Sequence, residues 1–165
     1  MLRHAKSDWN TNTSDHDRPL NPRGRSAAAA VGIALARSGE IPDLALTSSA
    51  LRARSTLEIA AQAGSWPTEI SADPSLYGTS AAGALAAVAA AEGDVQRLMV
   101  VGHQPTWGTL ITTLTGASVV VKTATVVAID LSATSWRKAP EARGSISYML
   151  QPRLFTDGSW NLEPI

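Results

Sequence analysis

Along the chain, short β-branched or leucine-rich runs alternate with alanine-rich stretches long enough to be helices. Asp43–Thr47 (DLALT) is an apolar run opening after Ile41-Pro42. Arg97–Val101 (RLMVV) is a second, continuous rather than alternating, as suits a strand buried on both faces. Helices are predicted over Asn21–Ser38, Ser48–Gly64, Ser80–Glu92 and Thr106–Leu114. For the first, Asn21 is the expected N-cap, Pro22 takes the first helical position and Gly39 lies just past the end. Val119–Leu131 is β-branched and predicted as strand, with Ser145–Gln151 (SISYMLQ) antiparallel to it. Asp8–Leu20 and Thr134–Gly144 are polar, carry Pro or Gly, and are expected to be loops. Strand-then-helix alternation implies an α/β fold: a three-layer α-β-α sandwich with a mostly parallel sheet. Only Met1 and Leu2 precede Arg3, whereas a strand there would need about four or five residues. Either the first strand is stunted or the chain begins upstream of Met1; the second is the expectation.

Composition narrows the class. The 165 residues suit one domain, 1–165, with a core of its own. Lys+Arg and Asp+Glu both number 14, so the basic excess of a nucleic-acid binder is missing. There is no Cys, which removes disulfides, Cys-ligated metals and thiol nucleophiles. No apolar run reaches the roughly 18 residues of a membrane span, and MLRHAKSDWN has no apolar signal region. The expectation is a cytoplasmic protein with neither nucleic acid nor membrane as partner.

In an open parallel sheet, ligands sit beyond the carboxyl ends of the strands. Three such ends carry related side chains: Arg3 and His4 after the first strand; Ser48, Ser49 and Arg52 after DLALT; Gly102 and His103 after RLMVV, with Pro105 opening the next helix. Two imidazoles and two guanidiniums would face one pocket near helix N-termini. That set contains no carboxylate, so a bound phosphate is the natural neutralising partner. Without Cys or a Walker-type lysine loop, histidine is the best available nucleophile. His16, in the polar loop, reads as an ordinary surface histidine. Arg52 and Arg54 lie two apart on a helix, and spacing alone does not say which faces the pocket.

These residues resemble a known family. Arg3-His4-Ala5-Lys6-Ser7, followed by Trp9 and Asn10, is similar to the Arg-His-Gly/Ala signature of the histidine phosphatase (phosphoglycerate mutase-like) superfamily. Asp17-Arg18-Pro19-Leu20 with Pro22-Arg23-Gly24-Arg25 resembles its SixA-type phosphohistidine phosphatase branch. Ser48-Ser49-Ala50-Leu51-Arg52-Ala53-Arg54-Ser55-Thr56 and Val100-Val101-Gly102-His103-Gln104-Pro105 resemble two further motifs, in family order. The resemblance implies a phosphoglycerate mutase-like fold with His4 as the nucleophile that becomes phosphohistidine. It implies Arg3 and Arg52 as phosphate-binding arginines, Arg54 left to the surface, and His103 as the second pocket histidine. Ser7 and Asn10 are implied near the phosphate, and Arg18 either binds substrate or braces its loop. No metal and no cofactor are implied.

Two positions depart from the pattern, Ala5 for the commoner Gly and Gln104 for a frequent Asn. A third departure matters more. Many superfamily members carry a Glu proton donor after the third strand, and Leu76-Tyr77-Gly78-Thr79 has no acid; Asp73 nearby precedes Pro74 and reads equally as a turn residue. An alkoxide strongly needs a proton donor to leave, whereas a phosphohistidine leaves as imidazole. Asp8, Asp15 or Asp17 on the loop could still reach in. The expected function is a metal-independent phosphatase acting on a phosphohistidine-bearing protein. The alternatives are a phosphomonoesterase of small phosphorylated metabolites, with Thr115–Lys122 or Thr134–Gly144 as a lid, and a non-catalytic phosphate-binding regulatory module.

Overall fold

The structure, a computed structural model, describes residues 1–153; the last ten residues, whose sequence shows no clear hydrophobic pattern, lie outside that range. Six strands form one sheet in the order β3-β2-β4-β1-β5-β6: β1 (Leu2–Arg3), β2 (Leu44–Ser48), β3 (Glu69–Asp73), β4 (Leu98–Gly102), β5 (Val126–Leu131) and β6 (Gly144–Leu150). β1 to β4 run parallel, while β5 pairs antiparallel with both β1 and β6. The helices are α1 (Pro22–Arg37), α2 (Leu51–Gly64), α3 (Ala81–Ala89) and α4 (Thr106–Thr115). The sequence expectation of a mostly parallel α/β sandwich holds.

Alternation along the central strands explains the three layers. On β4, Met99 and Val101 join the core beneath α1 and α2, with Ala28, Val31, Ala53 and Leu57. Leu98 and Val100 point the other way, to Leu85, Trp107 and Leu110 of α3 and α4. The RLMVV run is apolar throughout because both its faces are covered. Helix α1 starts as the sequence predicts: Asn21 accepts the Gly24 N–H at 2.8 Å, and Pro22 needs no donor at the first position. Gly39, with φ 71°, takes the left-handed turn past its end.

Four expectations need correction. β5 begins at Val126, not Val119. Val120 is exposed, the Val121 carbonyl receives the Arg3 guanidinium at 2.8 Å, and Ala124 has φ 60°, so the preceding residues form a loop over the site rather than strand. β3 was not legible, because EISAD is an exposed edge strand without an apolar run. α3 stops at Ala89, three residues short of Glu92. Thr134–Gly144 holds a 3-10 segment, Trp136–Glu141, tied by Trp136 to the Val95 carbonyl ahead of β4. That is the amino end of the parallel strands, so this segment cannot be a lid over a site at their carboxyl ends.

Candidate active site

The register of β1 against β4 pairs Arg3 with Gly102, so the next residue on each strand, His4 and His103, emerges side by side. Their rings lie 5.0 Å apart, centroid to centroid. β2 flanks β4 on the other side and delivers Ser48, whose hydroxyl lies 2.9 Å from His103 Nε2. The first turn of α2 supplies Arg52, which is 6% exposed, whereas Arg54 is half-buried and one of the charges acting on Asp17. Arg52 therefore faces the pocket.

Burial sets the state of both rings. It holds His4 well below the ordinary imidazole value, at about 3, with His103, Arg52 and Arg3 adding repulsion and the Ala5 carbonyl opposing. His103 is pushed down to about 4 for the same first reason. Both are neutral near pH 7. His4 Nδ1 lies 2.7 Å from the Ala5 carbonyl oxygen. A carbonyl only accepts, so Nδ1 carries the proton and Nε2 keeps its lone pair. The local backbone is fixed in turn: Thr56 Oγ1 accepts the Ala5 N–H at 2.9 Å and donates to the Arg52 carbonyl at 2.6 Å, joining the His4 turn to α2.

The loop before α1 folds over this base. An antiparallel bridge between Ser7 and Leu20 and an Asp8 N–H to Pro19 carbonyl bond close its neck. Arg18 is buried, donates to Ser7 Oγ and to Asp15 Oδ1, and stacks its guanidinium 3.6 Å from the centre of the exposed Trp9 ring. Asp15 also receives Arg52 at 3.0 Å and the Tyr77 hydroxyl at 3.0 Å. The bond from Arg18, then Tyr77 and the charge of Arg52, hold its carboxyl down at about 2, so it is ionised.

The sequence-predicted residues thus divide. Arg3, His4, Arg52 and His103 converge, and Ser7 and Arg18 join them through the loop. Asn10 does not: it is exposed, and its backbone N–H caps Asp8. The expectation of a carboxylate-free core is also corrected, because Asp15 sits between Arg18 and Arg52. Sequence reasoning missed Tyr77, which follows β3 where an acid was sought, and whose ring lies 5.9 Å from His103. His16, read from the sequence as an ordinary surface histidine, has its ring 5.0 Å from that of Tyr77. The DHDRPL run around Asp15 and His16 was the available signal.

Three guanidiniums face one carboxylate here, and the Nε–H groups of Arg3, Arg18 and Arg52, like that of Arg54 outside the pocket, are buried without a protein acceptor. Buried donors of that kind call for an anion with several oxygens. The sheet thus presents two neutral imidazoles side by side among several guanidiniums. The chain belongs to the histidine phosphatase superfamily, in its SixA-like branch. The family model for the histidine phosphatase superfamily (branch 1) matches residues 1–81. An uncharacterised chloroplast protein of Arabidopsis thaliana is 31% identical over 96% of this chain and 78% of its own length. A candidate SixA phosphohistidine phosphatase from Nakamurella multipartitia superposes with a TM-score of 0.78 at 27% identity, covering 92% of this chain and 93% of that one. The protein histidine phosphatase SixA in complex with tungstate shares the fold, with a TM-score of 0.80 at 21% identity, over 94% and 97% of the two chains. Among the described residues no helix is long and apolar enough to cross a membrane.

Proposed function

We propose that this protein is a cytoplasmic, metal-independent phosphohistidine phosphatase that works through phosphorylated His4. The observation that carries the reading is the neutral His4 ring, with its Nδ1–H given to Ala5 and its Nε2 free, 5.0 Å from His103 in an arginine cradle. In the first step the Nε2 lone pair attacks phosphorus in line, and the bond to the leaving group breaks. Arg3 and Arg52 bind the equatorial oxygens, and His103 shares the charge that develops on them. Water then attacks phosphorus, and the electron pair returns to His4.

Phosphohistidine on a partner protein is favoured over alkyl phosphate esters by the protonation states. Asp15 is ionised and already accepts from Arg18, Arg52 and Tyr77. Tyr77 stands after β3 in place of a carboxylic acid, and its donation to Asp15 pushes its phenol up. Neither is a ready proton donor, and an imidazole leaving group that carries its own ring proton asks least for one.

The test is a turnover panel of phosphohistidine peptide, phosphoramidate and several phosphate esters, run with and without chelator. His4→Ala should release no phosphate while remaining folded, and acid-quenched wild type should carry acid-labile phosphate on His4. Turnover by His4→Ala, phosphate on another residue, or loss of activity with chelator would each refute the mechanism. A faster rate on every ester than on phosphohistidine peptide would move the substrate to small metabolites.

A further inference from the structure

A third imidazole is held at the rim of the site from both sides. The His16 carbonyl accepts the Leu51 N–H at 2.9 Å, which pins the loop to the start of α2. His16 Nδ1 lies 3.0 Å from Asp17 Oδ1, and Ser14 holds the other Asp17 oxygen at 2.8 Å. His16 Nε2 lies 3.0 Å from Ser49 Oγ. Consecutive serines at the end of β2 therefore hold two imidazoles, Ser48 that of His103 and Ser49 that of His16. Asp17 is ionised, its carboxyl lowered first by the His16 bond, and an ionised carboxylate only accepts. It fixes a proton on Nδ1 and leaves Nε2 as the nitrogen that gives or takes one, the arrangement in which a carboxylate orients a catalytic imidazole.

We propose that His16, oriented by Asp17, is the proton carrier for the leaving group, an assignment that rests on the phosphatase reading above. The placement follows from in-line geometry. His4 is buried at the base of the site, so the leaving atom stands on the outer side of phosphorus, toward the mouth. His16 is at that mouth, with a side chain 39% exposed and its ring against Tyr77, which in turn meets His103. In the first half-reaction the His4 Nε2–P bond forms and the bond from phosphorus to the leaving atom breaks. That atom takes the electron pair and the proton from His16 Nε2. In the second half, the water oxygen bonds to phosphorus, the pair returns to His4 Nε2, and the water proton goes to His16 Nε2. Protons and electrons balance without a further reactant, and phosphohistidine, whose leaving imidazole brings its own ring proton, remains the substrate that depends least on the carrier.

The discriminating experiment compares wild type and His16→Asn across aryl phosphates, from dinitrophenyl to phenyl phosphate. Asn keeps a donor toward Asp17 and removes Nε2. The expected loss is about 100-fold or more on phenyl phosphate, the size of a general-acid contribution. On dinitrophenyl phosphate, whose leaving group needs no proton, the loss should stay under about threefold. Asp17→Asn should tilt the series in the same direction by less, and is the check should His16→Asn unfold early. Parallel profiles for wild type and both variants overturn the assignment of His16 and leave the phosphatase reading standing. A wild type that hydrolyses no member of the series and labels no histidine overturns that reading, and the inference with it.

Discussion

The neutral state of the two pocket histidines has a consequence for stability that can be measured without any substrate. An unfolded imidazole takes up its proton near pH 6.5, whereas folded His4 does so near 3 and folded His103 near 4. Between these values the unfolded chain binds protons that the native state refuses. Stability from these rings is therefore complete above pH 6.5 and is lost as the pH falls toward the folded values. The cost is about 1.4 kcal/mol per pH unit for each ring, so at about pH 5 each has removed about 2 kcal/mol. That figure depends on the unfolded value alone, provided the folded one lies below 5. The perturbation is His4→Asn, which keeps a donor toward the Ala5 carbonyl and cannot titrate. Urea unfolding curves should be taken from about pH 7.5 to about pH 5 in buffers free of phosphate and sulfate, since a bound anion would return protons to the site. The wild type should lose about 2 kcal/mol more over that range than the variant. Asp15, held at about 2, adds its loss only at lower pH. A uniform destabilisation by the substitution shifts the whole curve without changing its slope. Equal slopes for the two proteins would show that His4 titrates freely, and the neutral-nucleophile reasoning would fail with it.

Two other substitutions probe the cradle and the scaffold. Asp15→Asn removes the carboxylate that competes with an anion for Arg18 and Arg52, so orthophosphate or vanadate should bind more tightly. A half-exposed pair of this kind is worth about 1 kcal/mol, or roughly fivefold in Kd by calorimetry, and weaker binding would mean Asp15 organises the arginines instead. Gly32→Ala should destabilise by about 3 kcal/mol or more in urea melts, because a Cβ there would stand 1.9 Å from the Ala60 carbonyl oxygen, where α1 meets α2 and only backbone could yield; an unchanged midpoint would contradict the close helix contact.

How far the sequence alone reached follows from where each residue sits. The RLMVV strand was legible because both its faces are buried, and α1 because Asn21, Pro22 and Gly39 mark its ends. The register of parallel strands then places whatever follows β1, β2 and β4 at one end of the sheet, so Arg3, His4 and His103 were expected together from their positions, while only the family resemblance separated Arg52 from Arg54. Chain order offered Asp15 only as one of three loop acids that could reach in, and it did not single out His16 or Tyr77. They lie in a polar loop and behind an exposed edge strand, segments with no hydrophobic period to fix their direction. Their places depend on contacts across many residues, from Arg52 to Asp15, from Leu51 to the His16 carbonyl and from Tyr77 to Asp15. Local pattern determined which side chains gather at the carboxyl ends of the parallel strands. Folding of the loop over that base decided how the arginines are balanced and which imidazole stands at the mouth, because electrostatics and hydrogen bonding act through distance in space, not along the chain.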